Sequence, residues 1–149
     1  MYSTKRQKEV LRKMKGKRES MNTERSETCI ETPAVSVIVP VYRPGEGFKR
    51  CLASLRGQTL ENIEMIFVDD LGGDDTMAYL ESAAQEDKRI RIIRNEVNSG
   101  PGVSRNRGIE AACGEYLAFS DADDYLSPDF LERLYSKGCK TGKKIVRGE

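Results

Sequence analysis

The chain has 149 residues, 38% of them hydrophobic, and a net charge of +1, which leaves room for one domain around one core. It has no histidine and none of its four cysteines lies in a CxxC spacing, which excludes a Cys/His structural zinc site and any Ser-His or Cys-His nucleophile. No apolar run is long enough for a bilayer-spanning helix or a signal peptide, so a reducing cytoplasm is the expected compartment.

The small net charge hides an asymmetry. Met1 to Arg18 carries eight Lys/Arg (Lys5, Arg6, Lys8, Arg12, Lys13, Lys15, Lys17 and Arg18) against Glu9 alone, leaving −6 for the rest. Residues 1–32 are read as a basic N-terminal extension, helical or disordered, and residues 33–149 as one globular domain. The basic stretch suits a solvated tail or a peripheral contact with an anionic membrane at its inner face, although Val10, Leu11 and Met14 form only a thin apolar stripe. No nucleic-acid partner is expected.

From Pro33 onward, strand-like and helix-like segments alternate. Val35 to Val39 predicts a buried strand ended by Pro40. Phe48, Leu52 and Leu55 recur at helical spacing, and Gly57 closes that helix. Ile63 to Val68 is a second strand ended by Asp69-Asp70, and Asp75 or Thr76 caps a helix bearing Met77, Leu80, Ala83 and Ala84. Ile90 to Ile93 is a short third strand, a helix begins near Pro101, and Tyr116 to Phe119 is the fourth strand. Ser127-Pro128-Asp129 has the composition of a helix start, for a helix running through Leu131, Leu134 and Tyr135 to Gly138. Ile145-Val146 opens a fifth strand. This alternation predicts an α/β fold with a doubly wound, mostly parallel sheet, whose ligands bind beyond the carboxyl ends of the strands. Cys51 and Cys113 read as small buried hydrophobes.

The polar clusters fall at those strand ends. Asp121, Asp123 and Asp124 crowd three carboxylates into four positions. In an extended backbone residues i and i+2 share a side, so Asp121 and Asp123 can converge on a hard divalent cation, Mg or Mn. A solvated acidic turn before the next helix accounts for the same residues. At Asp69-Asp70 one carboxylate can accept the imide N–H of a uracil ring, or both can serve as turn residues, with Asp74 supporting the turn or the next helix start. Asn98-Ser99-Gly100-Pro101-Gly102 leads into a helix carrying Arg105 and Arg107. Helix N-termini and guanidinium groups bind anions such as a diphosphate. Alternatively, Arg105 pairs with the acidic strand ends and Arg107 is simply exposed.

Three other families fit poorly. A receiver domain needs its acid pair after the first strand and an acid after the third, where Ile93-Arg94-Asn95 stands. In dehalogenase-type phosphatases the DxD ends the first strand and precedes Thr or Val, whereas Asp124 follows here. No GxGxxG follows the first strand, so a dinucleotide fingerprint is absent.

The ordered blocks Val35 to Tyr42, Cys51 to Thr59, Ile63 to Asp70 with Asp74 and Thr76, Asn98-Ser99-Gly100, Arg105 to Ile109, Gly114-Glu115-Tyr116 and Phe119 to Asp124 resemble the family 2 glycosyltransferases of the GT-A fold, over about residues 33–149. The resemblance implies transfer of a sugar from a nucleoside-diphosphate donor, a UDP-sugar above all, to a saccharide or other hydroxyl acceptor with inversion, as in polysaccharide biosynthesis. It implies that Asp70 reads the base, that Pro40 and Tyr42 line the nucleotide pocket and that Arg105 belongs to the donor site. Asp121 and Asp123 correspond to the DxD motif, Asp123 as direct metal ligand and Asp121 acting through ribose or metal. The chain departs from the family at Arg43 (usually Asn), at Leu71-Gly72 (usually Gly-Ser) and at Ser104 (usually Ala). Family members carry a second half that binds the acceptor and supplies the general base. The sequence therefore reads as the nucleotide-sugar-binding half, with no catalytic base identified in it. A nucleotide-sugar binding module without transfer, or a scaffold pairing with a full-length relative, are the alternative readings.

Overall fold

The structure, a computed structural model, describes residues 32–142. The basic N-terminal stretch and the expected strand at Ile145-Val146 lie outside the described residues. The elements are β1 (Val35–Val41), α1 (Gly47–Arg56), β2 (Ile63–Asp69), α2 (Thr76–Glu86), β3 (Ile90–Arg94), α3 (Gly100–Ala111), β4 (Tyr116–Phe119) and α4 (Phe130–Thr141). The four strands form one parallel sheet in the order β3-β2-β1-β4.

The sheet is parallel because each strand is followed by a helix that returns the chain to the same end. β1 and β2 are buried on both faces, which is why they read as continuous apolar runs: Val37, Ile38, Val39, Met65, Ile66, Phe67 and Val68 are all inaccessible to solvent. α1 turns Phe48, Cys51, Leu52 and Leu55 onto one face, where the Phe48 and Phe67 rings meet edge to face at 6.0 Å. α3 packs against β1 at Gly108, where a Cβ would lie 2.5 Å from Ile38 Cγ2, so only glycine lets the helix approach this closely.

Several boundaries differ from expectation. β1 runs through Pro40 to Val41 rather than stopping at the proline. The carbonyl of Ile38 accepts from Ser120, so Pro40, two residues on, faces the same side, beyond the last β1–β4 pair of Ile38 with Phe119. Its missing N–H therefore costs no ladder bond. The Ser127-Pro128-Asp129 signal forms a turn ahead of α4 instead of its first residues. Ser127 O accepts the Phe130 N–H at 3.1 Å, which closes the turn, and also accepts from Gln58 Nε2 at 2.8 Å, while Pro128 O accepts the Thr59 N–H at 2.8 Å. Gln58 Oε1 accepts from the Leu131 N–H at 3.1 Å, satisfying one donor of the first turn. Gly138 does not end α4, which continues to Thr141 with Gly142 left-handed at its close. Gly138 sits inside the helix because a Cβ there would lie 3.0 Å from the Tyr116 ring. Asp75 makes no cap bond from its side chain; Asp74 Oδ1 instead accepts the Thr76 N–H at 3.2 Å.

Near the amino ends of the strands a buried carboxylate ties four segments together. Glu64 accepts from Ser36 Oγ at 2.6 Å, the Cys113 N–H at 2.6 Å and Arg91 Nη1 at 2.7 Å, while Ser36 Oγ accepts the Gly114 N–H at 2.7 Å. Burial works to raise the Glu64 pKa, but the bonds from Ser36, Cys113 and Arg91 outweigh it and hold the carboxyl below its ordinary value. Cys51 is buried as expected, whereas Cys113 is only half-buried.

Candidate functional site

The carboxyl ends of all four strands lie on one side of the sheet, and the connection order reverses between β1 and β4. Clefts at such a reversal are where open α/β sheets bind ligands. At the end of β1 the half-buried Pro40 is followed by Val41 and then, past the strand, by Tyr42, which is 49% exposed. The Arg43 guanidinium lies 5.5 Å from the centre of the Tyr42 ring, and its Nε donates to Gly72 O at 2.9 Å. Arg43 (φ 44°) and Leu71 (φ 61°) are both left-handed without being glycine. Three of the family departures, Arg43, Leu71 and Gly72, thus meet in one place, where the loops after β1 and β2 touch.

The two acids after β2 have different surroundings. Asp69 Oδ1 accepts the Leu71 N–H at 3.0 Å and shapes the turn. Asp70 is 3% exposed and is held by three donors from the β3–α3 segment. Its Oδ1 accepts from Asn95 Nδ2 at 2.7 Å and the Ser99 N–H at 2.8 Å, and its Oδ2 accepts the Gly100 N–H at 2.8 Å. Burial works to raise the Asp70 pKa, yet the bonds from Ser99, Asn95 and Gly100 prevail and keep the carboxyl below its ordinary value, hence ionised at neutral pH. The Ser99 and Gly100 amides at the start of α3, which suit an anionic ligand, are thus already engaged by Asp70.

After β4 the acidic cluster is not extended. The Asp124 N–H donates to Asp121 O at 3.1 Å, closing a turn, and Ala122 is buried while Asp121, Asp123 and Asp124 are exposed. Asp121 and Asp123 therefore do not share a strand face by i, i+2 alternation: a turn, not a strand, turns both acids outward. Arg105 Nη2 donates to Asp121 Oδ1 at 2.8 Å, so the ion-pair role holds for Arg105. Arg107 is half-buried rather than exposed, and its Nη1 donates to Asn95 Oδ1 at 2.7 Å and Arg94 O at 2.9 Å. One helix, α3, thereby engages both acidic strand ends, Asp70 at its N-terminus and Asp121 through Arg105.

Two supporting residues escaped the sequence reading. Gly47, the first residue of α1, backs onto Asp123, whose Cβ would lie 3.0 Å from a Cβ at position 47. The positive end of the helix macrodipole is thus set beside that acid. Cys51 Sγ reaches Asp121 O at 3.4 Å under the acidic turn. Burial, helped by Asp124, Asp123 and Asp121 and opposed by a bond with Ser120, pushes this thiol up to about 11, so it packs as a neutral group. Glycine at a helix start and cysteine on an apolar face were the signals, and neither marks a site by itself.

Among the described residues no group of three or more Cys, Asp or Glu side chains is placed to hold a metal ion. Mg and Mn ions that bridge diphosphates use one or two carboxylates, with phosphate and water oxygens completing the shell, and the exposed pair Asp121 and Asp123 fits that mode. Among the described residues no helix is long and apolar enough to cross a membrane.

A parallel α/β sheet with acids at the ends of β2 and β4 defines a nucleotide-binding domain of the GT-A type. The family described as "Glycosyl transferase family 2" matches residues 36–149, and the chain belongs to that family as the N-terminal half of its GT-A domain. It is 47% identical over 105 residues to the "Putative glycosyltransferase EpsH" of Bacillus subtilis (strain 168), covering 70% of this chain and 30% of that protein. It superposes on S. aureus TarS 1-349 in complex with UDP with a TM-score of 0.67 at 31% identity, over 71% of this chain and 32% of that one. It shares its fold with the mannosyltransferase PcManGT of Pyrobaculum calidifontis, described in complex with GDP-Man and Mn2+, at a TM-score of 0.58 and 19% identity, over 78% of this chain and 36% of that one. The chain thus spans about a third of the length of these three chains.

Proposed function

We propose that this chain binds a UDP-sugar with a divalent cation and serves in transfer of the sugar, with inversion, to a saccharide or other hydroxyl acceptor. The observation that carries the reading is the gathering of Tyr42, Asp70 and the Arg105–Asp121 pair at the carboxyl end of one parallel sheet that flanks its reversal point. The UDP named in the description of the TarS structure supports the choice of nucleotide.

In this reading the base stacks on the exposed Tyr42 ring beside Pro40, and its imide N–H donates to Asp70. Asp70 can accept because it is ionised, and its fixed geometry avoids the entropy of ordering a mobile side chain on binding. Asp123, with Asp121, would hold the cation, which offsets the charge that develops on the leaving diphosphate. Arg105 holds Asp121 before a ligand arrives and limits repulsion among the three acids. The basic stretch Lys5 to Arg18 is proposed to rest on an anionic membrane surface.

Calorimetry with UDP and Mn²⁺ tests the donor site without needing an acceptor. Binding that chelator abolishes, and that Asp123→Asn weakens at least about tenfold, is the expected result. Equal affinity in the variant, or no binding by either protein, sinks the site assignment.

A further inference from the structure

Asn95 has no place in the donor site described above, yet it is 3% exposed and every polar group of its side chain is used. Its Nδ2 donates to Asp70 Oδ1 at 2.7 Å and to Ser104 Oγ at 2.9 Å, and its Oδ1 accepts from Arg107 Nη1 at 2.7 Å. Its backbone N–H donates to Asp69 O at 2.9 Å. A guanidinium has no acceptor, so the carbonyl of the Asn95 amide must face Arg107, and the NH₂ must then face Asp70. Arg107 is itself aimed by a second bond to Arg94 O at 2.9 Å.

A carboxylate offers about four lone-pair positions, two on each oxygen. Asn95 and Ser99 fill both on Oδ1, and Gly100 fills one on Oδ2. One position remains, on Oδ2. That matches a base edge with a single N–H, such as the imide of uracil. Guanine presents two adjacent donors, N1–H and the 2-amino group, and needs both oxygens. We propose that Asn95, oriented by Arg107, is a positioning residue that restricts Asp70 to a single-donor base and so selects uracil over guanine. This rests on the reading that Asp70 meets the base.

The test is calorimetry with UDP, GDP and N3-methyl-UDP, each with Mn²⁺, on the wild type, Asn95→Ala, Arg107→Met and Arg107→Lys. In the wild type, UDP binds at least about tenfold more tightly than GDP and N3-methyl-UDP, the worth of one buried hydrogen bond. Asn95→Ala frees a position on Oδ1 and narrows the UDP-to-GDP ratio by about tenfold. Arg107→Met narrows it by less, and Arg107→Lys, which keeps a donor against the Asn95 carbonyl, restores it. A purely structural role lowers both affinities together and leaves the ratio unchanged, and that result overturns the inference. Should Asn95→Ala not fold, the two Arg107 variants decide by the same ratio. A wild type that binds UDP but does not distinguish N3-methyl-UDP shows that the imide is not read, which removes Asp70 from the base contact while leaving nucleotide binding intact. No UDP binding by the wild type defeats the proposed function itself.

Discussion

Replacing Asp70 with asparagine keeps the shape of the side chain and exchanges one acceptor oxygen for a donor. If the amide oxygen takes the place of Oδ1, it still accepts from Asn95 and Ser99, but the new NH₂ confronts the Gly100 N–H. In the other orientation two donors lose their acceptor, so the first is preferred. One buried N–H left unsatisfied costs about 1–3 kcal/mol, and the two remaining bonds lose their charge assistance, roughly another 1 kcal/mol. Removing a buried charge returns some desolvation energy. The lowered pKa of Asp70 shows that its hydrogen bonds outweigh that term in the fold. The sum is about 2–4 kcal/mol, and for a unit of this size each kcal/mol moves Tm by about 4 °C. Thermal unfolding followed by circular dichroism is therefore expected to shift down by about 8–16 °C, with UDP affinity falling in parallel. A variant melting within about 2 °C of the wild type refutes the view that Asp70 organises the start of α3.

Arg43→Asn is expected to leave Tm within about 2 °C, because asparagine tolerates the left-handed φ of 44° and that relief offsets the lost bond to Gly72. A fall of about 10 °C in a melting experiment contradicts this balance. Acid should destabilise the domain in a defined window. Glu64 and Asp70 both have folded pKa values below their ordinary 4.5 and 3.8, so each contributes stability that is complete above those values and lost as pH falls through the lower folded ones. Tm measured against pH should be flat from about 7 to 5.5 and drop below about 4.5, with a shallower drop in Glu64→Gln.

The alternation of strands with helices, and hence the parallel sheet, was readable because β1 and β2 are buried on both faces and so carry unbroken apolar runs. The acid positions followed from them. What could not be read was which groups those acids meet. The donors to Asp70 come from Asn95, Ser99 and Gly100, twenty-five to thirty positions along the chain, and nothing local announces them. The turn at Asp121 to Asp124 depends on one backbone bond and on burying Ala122, which an alternation rule cannot foresee. Ser127-Pro128-Asp129 carried the right local chemistry for a helix start, but Gln58 takes the Leu131 N–H and shares Ser127 O with a local turn bond, and Thr59 takes Pro128 O. Tertiary bonds overrode local preference there.

The contact of Gly108 with Ile38 has a mechanical consequence. With no side chain between helix and strand, α3 is seated directly on the central strand and acts as a stiff beam across it. One part of the beam presents Ser99 and Gly100 to Asp70, and another presents Arg105 to Asp121. A ligand that draws Asp121 away from Arg105 pulls on the same beam that steadies Asp70. Under the proposed function, cation and nucleobase would both bear on groups held by one helix, and whatever factor the first changes the affinity of the second by, the second would return to the first.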